Sequence, residues 1–202
     1  GVGNFHRAHQ APYTAKAGGW RIAGVIMSNQ DLFDEFATSD GLYGLGIWGD
    51  EAFHAEIVDI YSQMFLATNQ MPDILAKIAT PQTALITMTI TEKGYYLRPS
   101  DNRLDLDCEA ISHDLNAPLP RTAIGMIAEG LYLRFVQNQC PMSILSCDNL
   151  SHNGDKLKEA ITDYLASKYP TCLDWLADKI SFPNAMVDRI TPRLSKKAEE
   201  EI

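Results

Sequence analysis

Polar side chains follow two apolar stretches of the sequence. Glu92 comes directly after residues 83–91 (TALITMTIT), and Asp148 and Asn149 follow residues 142–147 (MSILSC). A carboxylate can exchange a proton with a reacting group, and an amide can donate a hydrogen bond to an oxygen that gains charge. Asp and Asn also occur in ordinary turns and helix caps. Both interpretations stay open, although the nearby Asn153 makes the second cluster denser than capping requires.

Gly1 and Gly3 form a second candidate site, at the start of the stretch GVGNFHRAHQ. Glycine lets a backbone approach a pyrophosphate, and a helix N-terminus favours negative charge. A tight turn without a ligand is the alternative. The third glycine of the usual G-x-G-x-x-G pattern is replaced by His6, so the helix must pack on its strand differently. No carboxylate or cysteine accompanies His6 and His9 in the motif, so we expect no metal site.

Tyr164 and Lys168 form a third candidate, because Y-x-x-x-K with Ser151 thirteen residues upstream is the spacing of short-chain dehydrogenases. In such a site the lysine lowers the pKa of the tyrosine, which then acts as the acid–base catalyst. The T-G-x-x-x-G-x-G loop and the N-N-A-G segment of that class are missing. Tyr164 also falls on an apolar helical stripe, which favours a core tyrosine.

The composition excludes several classes of protein. The 202 residues suffice for one sizeable domain. The net charge of −9 argues against a nucleic-acid partner, since phosphate binding needs a basic face. The apolar runs are too short to span a bilayer. The four cysteines have no close spacing and indicate reduced thiols in a cytoplasmic protein.

The elements that must position these residues alternate between strand and helix. Runs apolar on both faces predict buried strands, as a parallel sheet covered by helices requires. Predicted strands occupy residues 20–28, 56–67, 83–91 and 142–147, and the glycine-rich residues 40–50 predict turns between short strands. Predicted helices occupy residues 5–16, 71–78, 122–137 and 154–168.

Two details refine the helices. Pro12 predicts a kink or a late start in the first one. Leu157, Ile161, Tyr164 and Leu165 recur at i, i+4, i+7 and i+8 and predict the buried face of the last one. The alternation predicts an α/β protein with a Rossmann-like, doubly wound, mainly parallel sheet, which lacks the strand that should precede Gly1.

Asp31 bears on the choice of cofactor. A Rossmann strand usually ends near an acidic residue that binds a ribose 2′-hydroxyl and repels a 2′-phosphate. Asp31 is the nearest acid after the strand predicted at residues 20–28, and no arginine or lysine stands beside it. NAD is therefore favoured over NADP.

Four motifs converge on one family. In this order, GVGNFHRAHQAPYT, TITEKGYYL, LSCDNLSHNG and FPNAMVDRITP resemble the mannitol dehydrogenase family, the polyol-specific long-chain dehydrogenases that include fructuronate and tagaturonate reductases. The resemblance extends over essentially the whole chain. It implies a Rossmann-like domain that binds NAD or NADP. It also implies interconversion of a secondary alcohol of a sugar polyol or aldonate with its ketone, as in the mannitol/fructose and mannonate/fructuronate pairs.

The resemblance also implies roles for single residues. Gly1, Gly3 and the backbone of Asn4 and Phe5 match the pyrophosphate-binding motif, and Glu92 is expected near the nicotinamide. Asn149 resembles a residue that polarises the substrate oxygen. The aspartate of MVDRITP, Asp188, resembles an active-site residue near the substrate.

One departure from the family concerns the catalytic lysine, which belongs to a K-x5-N-x2-H motif in a helical C-terminal domain. That motif is absent from this sequence. We therefore expect residues 1–202 to be a Rossmann-like N-terminal domain, incomplete at both ends, without polyol dehydrogenase activity of its own. A nucleotide-binding module without catalysis is the alternative from a different class.

Overall fold

The computed structural model describes residues 1–48 and 53–187, with Trp48 described by its backbone alone. Asp188, one of the predicted site residues, lies outside the described residues. The described chain divides into two compact units, residues 1–64 and residues 65–187.

The first unit begins with a π-helical turn, His6–Gln10, that leads directly into α1 (Ala11–Ala17). Pro12 has no N–H, and its ring would collide with the carbonyl of Ala8 in a regular α-helix. A π turn at this point accommodates the proline, whereas the helical run already begins at residue 4, so the late start that Pro12 predicts as one alternative does not occur. The unit continues with β1 (Ile22–Ile26), α2 (Gln30–Thr38), β2 (Tyr43–Trp48), β3 (Phe53–Val58) and the first residues of β4 (Tyr61–Leu66).

Strand pairing in this unit differs in part from the sequence prediction. β2 and β3 form an antiparallel hairpin in which Tyr43 faces Val58, and β1 pairs with β4. The single strand predicted over residues 56–67 is wrong, because β3 ends at Val58 and β4 begins at Tyr61. Burial shows the reason: Ile57 in β3 is exposed, whereas Ile60 and Tyr61 are buried. The two strands therefore place their apolar residues differently.

The second unit contains a three-stranded parallel sheet in the order β5, β6, β7. Its elements are α3 (Ala67–Ala79), β5 (Leu85–Met88), a 3-10 turn (Glu92–Tyr95), α4 (Glu109–Asn116), α5 (Ala123–Gln137), β6 (Met142–Ser146), α6 (Asn153–Lys168), a 3-10 turn (Pro170–Cys172), α7 (Leu173–Lys179) and β7 (Ile180–Ser181). Parallel strands joined through helices confirm the predicted α/β class.

The strand predicted over residues 83–91 is shorter and less buried in the structure. β5 covers only Leu85–Met88, and the Leu85 side chain is 45% exposed. The ladder ends where the Cys147 N–H donates to the Met88 carbonyl at 2.8 Å. Two residues beyond Met88, the Ile90 N–H donates to a side chain, Asp148 Oδ1, and not to a strand.

Helix packing in the second unit follows the predicted patterns closely. Leu157, Ile161, Tyr164 and Leu165 of α6 are fully buried, which confirms the predicted stripe. α5 begins at Ala123, and the Thr122 hydroxyl caps it by accepting from the Gly125 N–H at 2.9 Å. In the part of the chain that the structure describes, no helix is long and apolar enough to cross a membrane.

Candidate functional site

Residues 1–7, here called the glycine loop, comprise the irregular residues 1–3 and the start of the first helical segment. The helical run begins at residue 4, and the Arg7 N–H donates to the Gly3 carbonyl at 3.0 Å. Gly3 is exposed, and a Cβ added there would meet nothing within 4 Å. The start of the helical run therefore presents an open backbone surface, which an anion can approach.

Gly24 of β1 provides the close packing that the third glycine usually allows. A Cβ at this position would lie 2.5 Å from Met64 Sδ and 3.1 Å from Val2 Cγ2. Val2 of the glycine loop can therefore lie against β1 because the strand, rather than the helix, carries the glycine.

His6 is a buried, neutral side chain. It is 6% exposed, and its Nδ1 shares a hydrogen bond of 2.9 Å with Gln10 Oε1. Burial lowers the pKa of His6 to about 4, although the hydrogen bond to Gln10 opposes the shift. The ring is therefore uncharged near neutral pH.

Three polar atoms near the glycine loop have no hydrogen-bond partner among the described residues: His6 Nε2, Arg7 Nε and the Tyr61 hydroxyl. His6 and Tyr61 are both more than nine-tenths buried, and their ring centroids are 6.0 Å apart. Burial raises the pKa of Tyr61, which keeps the hydroxyl protonated. Unpaired buried polar atoms are uncommon, so these atoms fit a site that receives a polar ligand.

No group of three His, Cys, Asp or Glu side chains that could hold a metal ion occurs among residues 1–48 and 53–187.

The other side chains of the glycine loop have nearby partners. The His9 ring stacks on Phe5 with the ring centroids 4.9 Å apart, and it meets Tyr13 edge-on at the same centroid distance. Phe5 is half-buried by this stacking, and Asn4 is exposed, with its Oδ1 accepting from Arg7 Nη2 at 2.7 Å.

Asp31 is exposed and lies in the first turn of α2, directly after the short segment that connects β1 to this helix. The cap of this helix is Asn29, whose Oδ1 accepts from the Leu32 N–H at 3.0 Å. Because Asn29 performs the capping, the Asp31 carboxylate is not used for it.

The strand-end cluster comprises Glu92, Tyr95, Ser146, Asp148 and Asn149, at the carboxyl ends of the neighbouring parallel strands β5 and β6. Glu92 and Asn149 are both exposed. Asp148 points inward, where its Oδ2 accepts from the Tyr95 hydroxyl at 2.5 Å and the Ser146 hydroxyl at 3.1 Å. The structure thus places the predicted Glu92 and Asn149 on two strand-end loops that Asp148 joins.

Tyr95 and Ser146 belong to this cluster although neither stood out in the sequence. Tyr95 is fully buried, and burial together with the hydrogen bond to Asp148 raises its pKa. The available signal was Ser146 itself, a polar residue near the end of a largely apolar run and two positions before Asp148.

A second loop connection involves Asn153 at the start of α6. Its Nδ2 donates to the carbonyls of Asp148 and Ala185, both at 2.9 Å, and its Oδ1 accepts from the Ala185 N–H at 2.9 Å. Asn184 Oδ1 accepts from the Gly154 N–H at 2.8 Å. These bonds fix residues 184–185, which precede Asp188 in the sequence, against the start of α6.

Tyr164 and Lys168 lie in a buried network and not at a strand end. The Tyr164 hydroxyl lies within hydrogen-bond distance of both the Asp114 carbonyl, at 2.9 Å, and Glu129 Oε1, at 2.8 Å, and Lys168 Nζ donates to Glu129 Oε1 at 2.6 Å. Burial and the Glu129 carboxylate raise the pKa of Tyr164, which is the reverse of what an acid–base tyrosine needs. The geometry therefore favours the core interpretation of Y-x-x-x-K.

Comparison with known proteins gives one family. A sequence profile described as the mannitol dehydrogenase Rossmann domain matches residues 1–202. The mannitol 2-dehydrogenase of Aspergillus fumigatus is 33% identical over 97% of this chain and 41% of its own length. The chain thus spans less than half the length of such relatives.

Solved structures agree with the sequence comparison. Pseudomonas fluorescens mannitol 2-dehydrogenase, in a ternary complex with NAD and D-mannitol, matches 100% of this chain and 43% of its own, with a TM-score of 0.90 and 36% identity. A D-sorbitol dehydrogenase in substrate-free form matches 100% of this chain and 44% of its own, with a TM-score of 0.90 and 32% identity. The predicted Rossmann-like fold is confirmed.

Proposed function

The chain belongs to the mannitol dehydrogenase family, and from this premise we propose that it serves an NAD-dependent oxidoreductase. The reaction would interconvert a secondary alcohol of a sugar polyol or aldonate with its ketone. The observation that carries the proposal is the strand-end cluster, because exposed Glu92 and Asn149 follow adjacent parallel strands. Ligands of open α/β sheets bind beyond the carboxyl ends of the strands.

The glycine loop would hold the cofactor. Gly1, Gly3, Asn4 and Phe5 would bind the pyrophosphate through backbone N–H groups at the start of the helical run. The unpaired polar atoms of His6 and Arg7 support a polar ligand beside this loop. When bound, the nicotinamide supplies or accepts the hydride.

The cofactor is proposed to be NAD and not NADP. Asp31 is exposed one turn beyond β1, where its carboxylate can accept hydrogen bonds from a ribose diol and repel a 2′-phosphate. The turn after β1 carries no arginine or lysine to pair with that phosphate.

Asn149 and Asp188 would act on the substrate. Asn149 would donate a hydrogen bond to the oxygen that becomes charged during hydride transfer. Asp188 would lie near the substrate, as its match to MVDRITP implies, and Glu92 near the nicotinamide. The proton would be exchanged by a lysine that this chain does not supply, since it has no K-x5-N-x2-H motif. We therefore expect no turnover from residues 1–202 alone.

The proposal is tested with the complete protein that carries this chain. NADH and NADPH binding are titrated by nucleotide fluorescence, and oxidation of D-mannitol and D-mannonate is followed at the absorbance of NADH. NADH binding with turnover of one substrate class would support the proposal and identify that class. Preference for NADPH would contradict the role of Asp31, and nucleotide binding without any turnover would favour the non-catalytic module.

A further inference from the structure

We infer that Asp148 is a positioning residue, whose carboxylate holds the loops after β5 and β6 together so that Asn149 keeps its place at the reacting oxygen. This inference rests on the proposed function and assigns a role to a residue that would not itself touch the substrate.

The Asp148 carboxylate accepts three hydrogen bonds from inside the fold. Its Oδ1 accepts from the Ile90 N–H at 2.7 Å, and its Oδ2 accepts from the hydroxyls of Tyr95 and Ser146. Ile90 and Tyr95 belong to the segment after β5, whereas Ser146 ends β6. One carboxylate therefore joins two segments that are far apart in the sequence.

The carboxylate continues the connection where the strand ladder stops. The last backbone bond between β5 and β6 runs from Cys147 to Met88. Two residues beyond Met88, the Ile90 N–H donates to a side chain, the Asp148 carboxylate. Bonds from two hydroxyls and one amide to a charged acceptor are strong, so this junction is rigid.

The loop that carries Asn149 is held on its other side as well. Asn153 Nδ2 donates to the Asp148 carbonyl at 2.9 Å and to the Ser146 carbonyl at 3.3 Å. Asn149 therefore projects, exposed, from a backbone that is anchored at the preceding residue by both its side chain and its carbonyl. A catalytic donor needs such support, because a misplacement of about 1 Å costs on the order of 100-fold in rate.

The test compares, in the complete protein, two carboxylates of the second unit that each accept several hydrogen bonds: the partly buried Asp148 and the buried Asp114. Asp148→Asn replaces one acceptor oxygen by an amide NH2 group. This group is itself a donor, so it cannot accept the hydrogen bond of the donor that it faces among the three. Asp114→Asn is the matched control, because that carboxylate likewise accepts from backbone N–H groups, of Arg121 and Thr122, and from the Thr122 hydroxyl. Both changes are expected to lower thermal stability.

The readout is the separation of kcat from KM. For Asp148→Asn we expect kcat for polyol oxidation to fall by at least about tenfold, with KM for NAD+ within about twofold. Tyr95→Phe removes one donor and should lower kcat less. The double variant should be no slower than Asp148→Asn alone, since both act through one junction. Asp114→Asn should keep kcat within about twofold.

The outcomes are distinguishable. A wild type that binds NADH and turns over no polyol or aldonate would overturn the proposed function, and the inference with it. An active wild type whose Asp148→Asn variant keeps its kcat would overturn the inference alone. Equal losses of kcat in Asp148→Asn and Asp114→Asn would also overturn it, because the loss would then be a general effect of reduced stability. If Asp148→Asn does not fold, Tyr95→Phe takes its place in the test, and an unchanged kcat in Tyr95→Phe would overturn the inference.

Discussion

The Tyr164 hydroxyl lies 2.8 Å from Glu129 Oε1, where α6 packs on α5 and the tyrosine is fully buried. Lys168 and Tyr169 donate to the same carboxylate, at 2.6 and 2.9 Å. A buried carboxylate is tolerated only when it is paired and hydrogen-bonded. The two residues of Y-x-x-x-K, Tyr164 and Lys168, therefore serve here as hydrogen-bond partners of the buried Glu129 carboxylate.

Tyr164→Phe is therefore expected to affect stability and not turnover. Glu129 keeps two partners, so the free energy of unfolding should fall by about 1–3 kcal/mol, the usual cost of a lost buried hydrogen bond. Urea denaturation measures this, and the steady-state kcat of the complete protein should stay within about twofold. Tyr13→Phe, at an exposed position, is the control. A selective collapse of kcat in Tyr164→Phe would restore the short-chain dehydrogenase interpretation.

His6 predicts a pH dependence of stability. Its pKa is about 4 in the folded state and 6.5 in an unperturbed histidine, so the unfolded chain binds more protons between these two pH values. Stability should therefore fall as the pH drops from 6.5 towards 4, by about 3 kcal/mol in total.

The measurement is thermal unfolding followed by circular dichroism between pH 7 and pH 4. His6→Gln should reduce this acid-induced loss, whereas His54→Gln, at an exposed position of β3, should leave it unchanged. Parallel curves for wild type and His6→Gln would show that His6 does not become charged on unfolding in this range.

Gly154→Ala should destabilise the second unit although alanine is the better helix former. Its Cβ would lie 2.5 Å from the Pro183 carbonyl oxygen and 2.6 Å from that of Phe182, and backbone atoms cannot turn aside. A loss of about 1–3 kcal/mol is expected, as for other overpacked sites. Gly44→Ala is the control, because no atom lies within 4 Å of its added Cβ. Urea denaturation of both variants measures the difference, and equal midpoints would contradict the close contact.

Asn149→Ala tests the proposed oxyanion donor. The side chain is exposed, so stability should change by less than about 0.5 kcal/mol. In the complete protein the rate constant for ketone reduction should fall roughly 100-fold, as when other oxyanion donors are removed. Single-turnover kinetics with NADH measures this rate. Asn116→Ala, also at an exposed position, is the control, and an unchanged rate in Asn149→Ala would remove it from this role.

Several features follow from local patterns and were predictable for that reason. The stripe on α6 follows from the helical period, and the strand cores at β1 and β6 from their apolar runs. The irregularity at Pro12 follows from its missing N–H. The hairpin of β2 and β3 was not predicted, because glycines in residues 40–50 resemble turn residues and only pairing across the hairpin makes this segment a strand.

The sequence by itself determined the family, the alternation of strands and helices, and the residues that could do chemistry, because motifs and periodicity are local. Only the tertiary structure decided which polar side chains remain available. Asp148 and Asn149 are adjacent and chemically similar, yet one is bound from inside by Ile90, 58 positions away, and the other is exposed. That difference depends on donors brought together by the parallel pairing of β5 and β6, which no local pattern specifies.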